Sequence, residues 1–291
     1  MDESPNKQEQ QSSTFIMEEN STQLAWLFNL DANLTRAMGG VFPERGGDIA
    51  DMHDILDLAC GAGGLALEVA HLYPHTQVLG VDINKQLIEN VRTLATARGI
   101  QNAHYQITNI LDPLPFPDAS FDLVNARTLY SSFEPTDWLP MLRECHRILR
   151  PGGTLRLTEM ERHLTSSLAN ERMWDLLTRA LYISGRSFSS DGHHIGIIPH
   201  LGRLLHETGF QHIQNRASTP EISSQTPHFG TWREQDAYAW QLVEPFLVRT
   251  GVATLEEVQT LRAEALKDFM SENFCAIAFY FTCWGEKHVI A

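Results

Sequence analysis

The sequence is poor in basic residues relative to acidic ones. Lys and Arg number 22 against 36 Asp and Glu, which gives a formal net charge of −14, and no block of basic residues appears. Because Lys and Arg contacts to phosphates supply most of a protein's non-specific affinity for nucleic acid, this composition argues against a nucleic-acid substrate. The acidic excess is typical of a solvated surface.

Cysteines and long apolar runs are also scarce. The four cysteines lie far apart, without C-x-x-C spacing, and the 13 histidines form no H-E-x-x-H pattern, so we expect no metal site. No apolar run approaches the roughly 20 residues that a membrane-spanning helix needs. No signal-like stretch follows Met1. We therefore expect a cytoplasmic protein without a membrane anchor.

The 291 residues, 43% of them hydrophobic, suit one large core with a cap. Residues 1–20 are rich in Gln, Ser, Glu and Asn and lack hydrophobic periodicity, which predicts a disordered tail. From Ser21 to Gly40 apolar residues recur and predict one or two short helices. We expect residues 21–291 to form a single domain.

The most informative segment is ILDLACGAGG at residues 55–64, followed by the helical pattern LALEVA. An apolar strand, a glycine-rich turn and a helix, in this order, let a ligand approach unpaired N–H groups at the helix start. Nineteen residues past Gly63 a second short strand ends at Asp82, whose carboxylate can accept both hydroxyls of a ribose. This pair predicts a nucleotide-cofactor site.

The glycines alone do not identify the cofactor. GAGGLA at residues 61–66 fits the G-x-G-x-x-G/A fingerprint, so an NAD(P)-dependent oxidoreductase is one alternative. The carboxylate of Asp57 favours another cofactor, because it suits an ammonium group but would repel a pyrophosphate. S-adenosylmethionine carries such an ammonium group and no phosphate.

Three further motifs follow: VDIN at 81–84, PFPDASFDLV at 115–124 and LRPGG at 149–153. Together with DLACGAGG at 57–64 they resemble the class I S-adenosylmethionine-dependent methyltransferases, particularly the small-molecule branch with the ubiquinone- and menaquinone-type enzymes. The motifs cover about residues 54–160, and the resemblance continues more weakly to the C-terminus.

The resemblance implies S-adenosylmethionine as the cofactor. In this fold an N-terminal helical segment usually covers the cofactor, although a plain packing helix is an equal alternative, and Arg36 in that segment could pair with the methionine carboxylate. The predicted cofactor-binding residues are Arg36, Asp57, Ala59, Cys60, Gly61, Gly63, Asp82, Ile83, Asn109, Ile110, Asn125 and Ala126.

Three positions depart from the family pattern. The family usually has Gly where Ala59 stands, a change that adds only a methyl group and should leave cofactor binding intact. Its adenine-contacting acid corresponds to Asn109, whose side-chain oxygen can still accept from the exocyclic amine. Relatives often carry His at the position of Ser132, which puts a catalytic role there in doubt.

The alternation of strands and helices predicts a Rossmann-like α/β fold with a mostly parallel sheet and helices on both faces. By the resemblance, the last of seven strands inserts antiparallel. We assign residues 50–160 to the cofactor half, 161–273 to the substrate half and 274–291 to the final strand. Cap insertions follow the fifth and sixth strands. The predicted strands lie near 54–59, 77–81, 102–107, 121–126, 153–159, 210–216 and 274–283.

Catalytic residues are harder to predict. Methyl transfer from a sulfonium is an in-line displacement that depends chiefly on alignment, and a general base can add about 10²–10⁴-fold for some acceptors. His193 and His194, in a Gly- and Ser-rich loop, are the first candidates for that base, and Glu159, Tyr130 and His163 follow.

The sequence therefore predicts methyl transfer from S-adenosylmethionine to a small, apolar or aromatic metabolite of secondary metabolism. O-, N- and C-methylation all stay open. The alternatives are the oxidoreductase and a methyltransferase-fold cyclase or binding module that holds the cofactor without transferring methyl. The predicted partner is a small molecule, with neither nucleic acid nor membrane, and a homodimer is left open.

Overall fold

The computed structural model describes residues 21–227 and 229–288. Seven strands form one sheet in the order β3-β2-β1-β4-β5-β7-β6. Strands β1 to β5 are parallel, and β7 is antiparallel to both β5 and β6, so the predicted Rossmann-like sheet is confirmed. The strands are β1 (Asp54–Leu58), β2 (Gln77–Asp82), β3 (Ala103–Ile107), β4 (Phe121–Arg127), β5 (Leu149–Thr165), β6 (Phe210–Ser218) and β7 (Ala276–Lys287).

Helices cover both faces of the sheet. On β1 the neighbouring residues Ile55 and Leu56 are both fully buried, yet they belong to different core clusters. Because successive strand side chains point to opposite faces, each face has its own apolar layer. The α-helices are α1 (Ser21–Met38), α2 (Gly64–Leu72), α3 (Lys85–Ala97), α4 (Pro135–Ile148), α5 (Leu168–Ile183), α6 (Leu201–Glu207), α7 (Phe229–Arg249) and α8 (Leu255–Asp268).

Local chemistry explains several helix starts. The side chain of Asn84 accepts from the backbone N of Leu87 at 3.0 Å and caps α3. Pro135 occupies the first turn of α4, where its missing N–H costs nothing. The backbone N of Glu134 donates to the Asp137 carboxylate at 2.8 Å and completes that start.

Two elements are longer than the sequence predicts. The N-terminal apolar pattern forms one 18-residue helix, α1, instead of one or two short helices. Strand β5 extends from Leu149 to Thr165, beyond the predicted 153–159 at both ends, because Leu149 pairs with Phe121 of β4 and Thr165 pairs with Ala276 of β7. Such pairing between distant segments leaves no local sequence signal.

Helices α1, α5 and α7 form a cap over one end of the sheet. The indole Nε1 of Trp26 in α1 donates to the backbone O of Gln235 in α7 at 2.9 Å. Trp240 in α7 donates through Nε1 to the Oδ1 of Asn170 in α5, also at 2.9 Å. None of the helices that the structure describes is long and apolar enough to cross a membrane.

Candidate functional site

A cavity of about 270 Å³ lies between the sheet and the cap. It begins at the carboxyl ends of the parallel strands, where ligands bind in sheets of this kind. On the sheet side its lining includes Ala59, Gly61, Asp82, Ile83, Asn84, Thr108, Asn109 and Ile110. On the cap side it includes Trp26, Leu30, Leu34, Trp174, Leu177, Trp232, Gln235, Asp236 and Trp240.

The two glycines of the turn after β1 have different roles. Gly61 has a φ of +55°, and a Cβ built there would meet no atom within 4 Å, so the turn leaves open space on this side. Gly63 has a φ of +72°, and its Cβ would come within 2.6 Å of the Val91 side chain. Gly61 thus gives a ligand access to the backbone, whereas Gly63 lets the turn pack against α3.

The Asp82 carboxylate is fixed against this turn. Its Oδ2 accepts from the backbone N of Gly61 at 2.8 Å, and its Oδ1 accepts from the backbone N of Asn84 at 2.9 Å. The residue is only 6% exposed and lines the cavity. Each carboxylate oxygen has more than one lone-pair site, so Asp82 can also accept from a ribose. The residues at this end of the cavity therefore fit an adenosyl cofactor.

Asp57 belongs to a buried polar chain behind the turn. Its Oδ1 accepts from the Nδ2 of Asn125 at 2.7 Å, and the Oδ1 of Asn125 accepts from the Nη1 of Arg156 at 2.8 Å. Arg156 in turn pairs with Glu44 at 2.6 Å. Burial raises the pKa of Asp57 to about 7, although Asn125 and Arg156 oppose that shift. These hydrogen bonds link β1, β4 and β5 to one another.

Half of the predicted cofactor residues line the cavity. Those that do are Ala59, Gly61, Asp82, Ile83, Asn109 and Ile110. Those outside the lining are Arg36, Asp57, Cys60, Gly63, Asn125 and Ala126. Arg36 is exposed and donates to the Oδ1 of Asn33 at 3.3 Å, so its contact with the methionine carboxylate stays a prediction.

Arg127, which the sequence analysis missed, lines the cavity at the end of β4. It forms an ion pair with Asp31 of α1, and its Nη1 donates to the Oγ1 of Thr35 at 2.9 Å. The other oxygen of Asp31 accepts from the backbone N of Leu65, in the first turn of α2, at 2.5 Å. The sequence signal for Arg127 is its position directly after the predicted strand 121–126, where parallel strands present side chains to a ligand.

The two first-ranked catalytic candidates do not reach the cavity. His193 and His194 are exposed, and neither belongs to its lining. Their loop is held by the Glu161 carboxylate, which accepts from the backbone N of Ile195 at 2.9 Å and of Gly196 at 3.1 Å. Closure of this loop over a substrate would have to break those hydrogen bonds, so a catalytic role for either histidine stays a prediction without geometric support.

The remaining candidates divide into one supporting residue and two lining residues. Glu159 is fully buried, and its carboxylate accepts from the backbone N of Leu129 at 2.8 Å and of Tyr130 at 3.3 Å. Burial raises the pKa of Glu159 to about 8, against these hydrogen bonds. Tyr130 and His163 both line the cavity, and Asp236 joins them from the cap. Glu159 thus holds the turn at Leu129 against β5 through these hydrogen bonds.

Comparison with known proteins extends these observations. A family model described as a methyltransferase domain matches residues 55–153. The demethylmenaquinone methyltransferase of Thermus thermophilus is 36% identical over 105 residues, which is 36% of this chain and 46% of that protein. The O-methyltransferase resE of Aspergillus sclerotiorum is 29% identical over 184 residues, or 62% of this chain and 61% of that protein. The chain thus spans about half the length of these curated relatives.

A solved structure matches over more of the chain. Phosphoethanolamine N-methyltransferase 2 of Haemonchus contortus, in complex with phosphomonomethylethanolamine and S-adenosylhomocysteine, aligns with a TM-score of 0.54 at 19% identity. The alignment covers 88% of this chain and 53% of that protein. At this identity the similarity concerns the fold.

Proposed function

We propose that the protein, in which residues 55–153 match a methyltransferase domain, transfers a methyl group from S-adenosylmethionine to a small, largely apolar or aromatic metabolite. The observation that carries this proposal is the continuity of the cavity. Its wall runs from the turn at Gly61 and the Asp82 carboxylate to the indole rings of Trp174, Trp232 and Trp240. Mostly apolar walls with a few polar groups are typical of small-molecule sites.

The residues on the sheet side would hold the cofactor. Asp82 would accept from the ribose hydroxyls, and Asn109 would lie at the adenine end. When bound, the cofactor supplies an electrophilic methyl group on a sulfonium. The contribution of the chain is to orient the acceptor along the line of displacement, which can supply about 7–11 kcal/mol of the barrier reduction. The capping indoles would exclude water from that line.

The experiment that tests this proposal uses the full chain and two measurements. Calorimetric titration with S-adenosylmethionine, S-adenosylhomocysteine and NADH should give binding of the first two and none of NADH. Incubation with S-adenosylmethionine carrying a labelled methyl group, against a panel of aromatic alcohols, amines and quinols, should then label at least one acceptor. Cofactor binding without labelling would favour a protein that holds the cofactor for another purpose.

A further inference from the structure

His163 is a buried histidine whose ring has unused hydrogen-bonding capacity. It is 2% exposed, and neither Nδ1 nor Nε2 makes a hydrogen bond within residues 21–227 and 229–288. Buried polar atoms in proteins are almost always hydrogen-bonded, and an exception needs an explanation. Since His163 lines the cavity, a bound ligand is an explanation that the geometry allows.

An acid and two indoles surround this imidazole. The Oδ2 of Asp236 in α7 lies 3.5 Å from Nδ1, and its side chain is 13% exposed. The ring centroids of Trp174 and Trp232 lie 4.8 Å and 6.5 Å from that of His163. The Asp236 carboxylate therefore lies where it can orient Nδ1, and Nε2 is the ring nitrogen that points away from this partner and can accept a proton.

Two tyrosines also belong to the wall of this cavity. Tyr280 of β7 and Tyr130 line the same cavity. Burial raises the pKa of Tyr280 strongly, and the charges of Asp236 and Tyr130 add to the shift. Burial likewise raises the pKa of Tyr130. Both phenols therefore stay neutral and can donate hydrogen bonds, but they are unsuited to accept a proton near neutral pH.

Two more polar atoms of the cavity wall lack partners among the described residues. They are the Nε1 donor of Trp174 and the Oε1 acceptor of Gln235, and both residues are 5% exposed. An apolar wall with an indole donor, an amide acceptor and an imidazole fits a flat ring that carries a hydroxyl and another polar substituent. A purely hydrocarbon ligand would leave all of these atoms unpaired, at a cost of about 1–3 kcal/mol for each.

We propose that the acceptor is a hydroxylated aromatic compound and that His163, positioned by Asp236, is the general base for its O-methylation. This inference rests on the proposed methyltransferase function. The acceptor oxygen bonds to the methyl carbon while the carbon–sulfur bond of the sulfonium breaks and its electron pair stays on sulfur. The hydroxyl proton moves to Nε2 of His163 and later to water, and S-adenosylhomocysteine and the methyl ether leave.

The test compares two probe acceptors, phenol and 4-nitrophenol, in mildly alkaline buffer. Phenol is then mostly neutral and needs a base, whereas 4-nitrophenol is mostly ionised and does not. We expect His163→Gln to lower the methylation rate of phenol by about 10²–10⁴-fold, the usual contribution of a general base. The rate with 4-nitrophenol should fall less than about tenfold. The matched control is His206→Gln, because His206 is exposed on α6, away from the cavity.

Asp236→Asn is the second variant. As a positioning residue, Asp236 should affect phenol more than 4-nitrophenol, with a smaller loss than His163→Gln. Quenching of tryptophan fluorescence by phenol measures acceptor binding apart from turnover, because Trp174 and Trp232 line the cavity. We expect the dissociation constant of phenol to change less than its rate in both variants. If His163→Gln does not fold, this comparison of Asp236→Asn with wild type decides the question.

Several results would overturn the inference while leaving the proposed function intact. Equal losses with both probes would mean that His163 has a structural role. A labelled methyl group on carbon or nitrogen would exclude the hydroxyl acceptor, and so would the absence of any methylated phenol with S-adenosylmethionine still bound. If the wild-type chain does not bind S-adenosylmethionine, in contrast, the proposed function itself is wrong.

Discussion

Ala59 has a backbone conformation that alanine rarely adopts. Its φ is +49°, in the left-handed region where a Cβ costs roughly 1–2 kcal/mol. We expect Ala59→Gly to raise the free energy of unfolding by about 1 kcal/mol, because glycine adopts this conformation without strain. The greater conformational entropy of glycine in the unfolded chain offsets only part of that gain. Thermal melting checks the sign. The matched control, Ala66→Gly inside α2, should lower stability, since a helical glycine is unfavourable.

The Asp82 carboxylate allows a second test at single-residue scale. We expect Asp82→Ala to weaken S-adenosylmethionine binding by about 1.5–3 kcal/mol, the value of hydrogen bonds to a charged group. Part of this loss would come from the turn, whose Gly61 N would lose its acceptor. Calorimetric titration measures it. Glu89→Ala, at an exposed carboxylate on α3, should bind like wild type. An unchanged dissociation constant in folded Asp82→Ala would contradict the ribose assignment.

At the scale of elements, Asp31 joins α1 to β4 and to the start of α2. This carboxylate pairs with Arg127 of β4 and accepts from the start of α2. We expect Asp31→Ala to lower the free energy of unfolding by about 3 kcal/mol, because removing one partner leaves the buried Arg127 charge unpaired. Chemical denaturation gives the magnitude, and hydrogen exchange in α1 shows whether the helix opens.

The control for this ion pair is the exposed pair of Arg45 and Asp51. Asp51 is 69% exposed, so Asp51→Ala should cost less than about 1 kcal/mol. If the two variants lose the same small amount of stability, the ion pair does not hold α1, and the Trp26–Gln235 hydrogen bond and apolar packing hold it instead. The apolar part of that packing is the cluster in which Leu34 and Met38 lie together with Trp232 and Tyr280.

At the scale of the whole molecule, buried carboxyl groups predict a pH dependence of stability. Burial raises the pKa of Asp57 to about 7 and that of Glu159 to about 8, whereas both would ionise near 4 in the unfolded chain. Between these values the folded state holds more protons, so rising pH favours the unfolded chain. We expect the melting temperature without cofactor to fall from pH 5 to pH 8.

Glu159→Gln should flatten this slope, because glutamine cannot ionise. Its amide oxygen can still accept from Leu129 N, so the fold should persist. Glu144 is the contrast: hydrogen bonding from Arg147 lowers its pKa, so its contribution is present above the unfolded value near 4 and disappears as the pH falls below it. Glu144→Gln should therefore leave the slope between pH 5 and pH 8 unchanged. A steeper slope in Glu159→Gln would contradict the assignment.

The features that could be predicted from the sequence are local ones. The turn at Gly61, the strand-ending Asp82 and the alternation of strands and helices all depend on residues within about 20 positions of one another. Their signals are the hydrophobic period, glycine at positive φ and an acid at a strand end, and each is set by backbone geometry. The sheet, and the position of Gly61 and Asp82 at the carboxyl ends of its strands, were therefore predictable from these patterns and the family resemblance.

The place of His163 in the cavity wall depends on tertiary packing. His163 and Asp236 lie on β5 and α7, far apart in the chain, and they approach because the cap folds over the sheet. The composition of the loop around His193 favoured a functional site, but composition does not determine the direction in which a loop projects. Arg127 of β4 and Asp31 of α1 are likewise far apart in the sequence and meet because α1 folds over the sheet. Contacts between distant segments depend on how whole layers pack, and no local pattern records them.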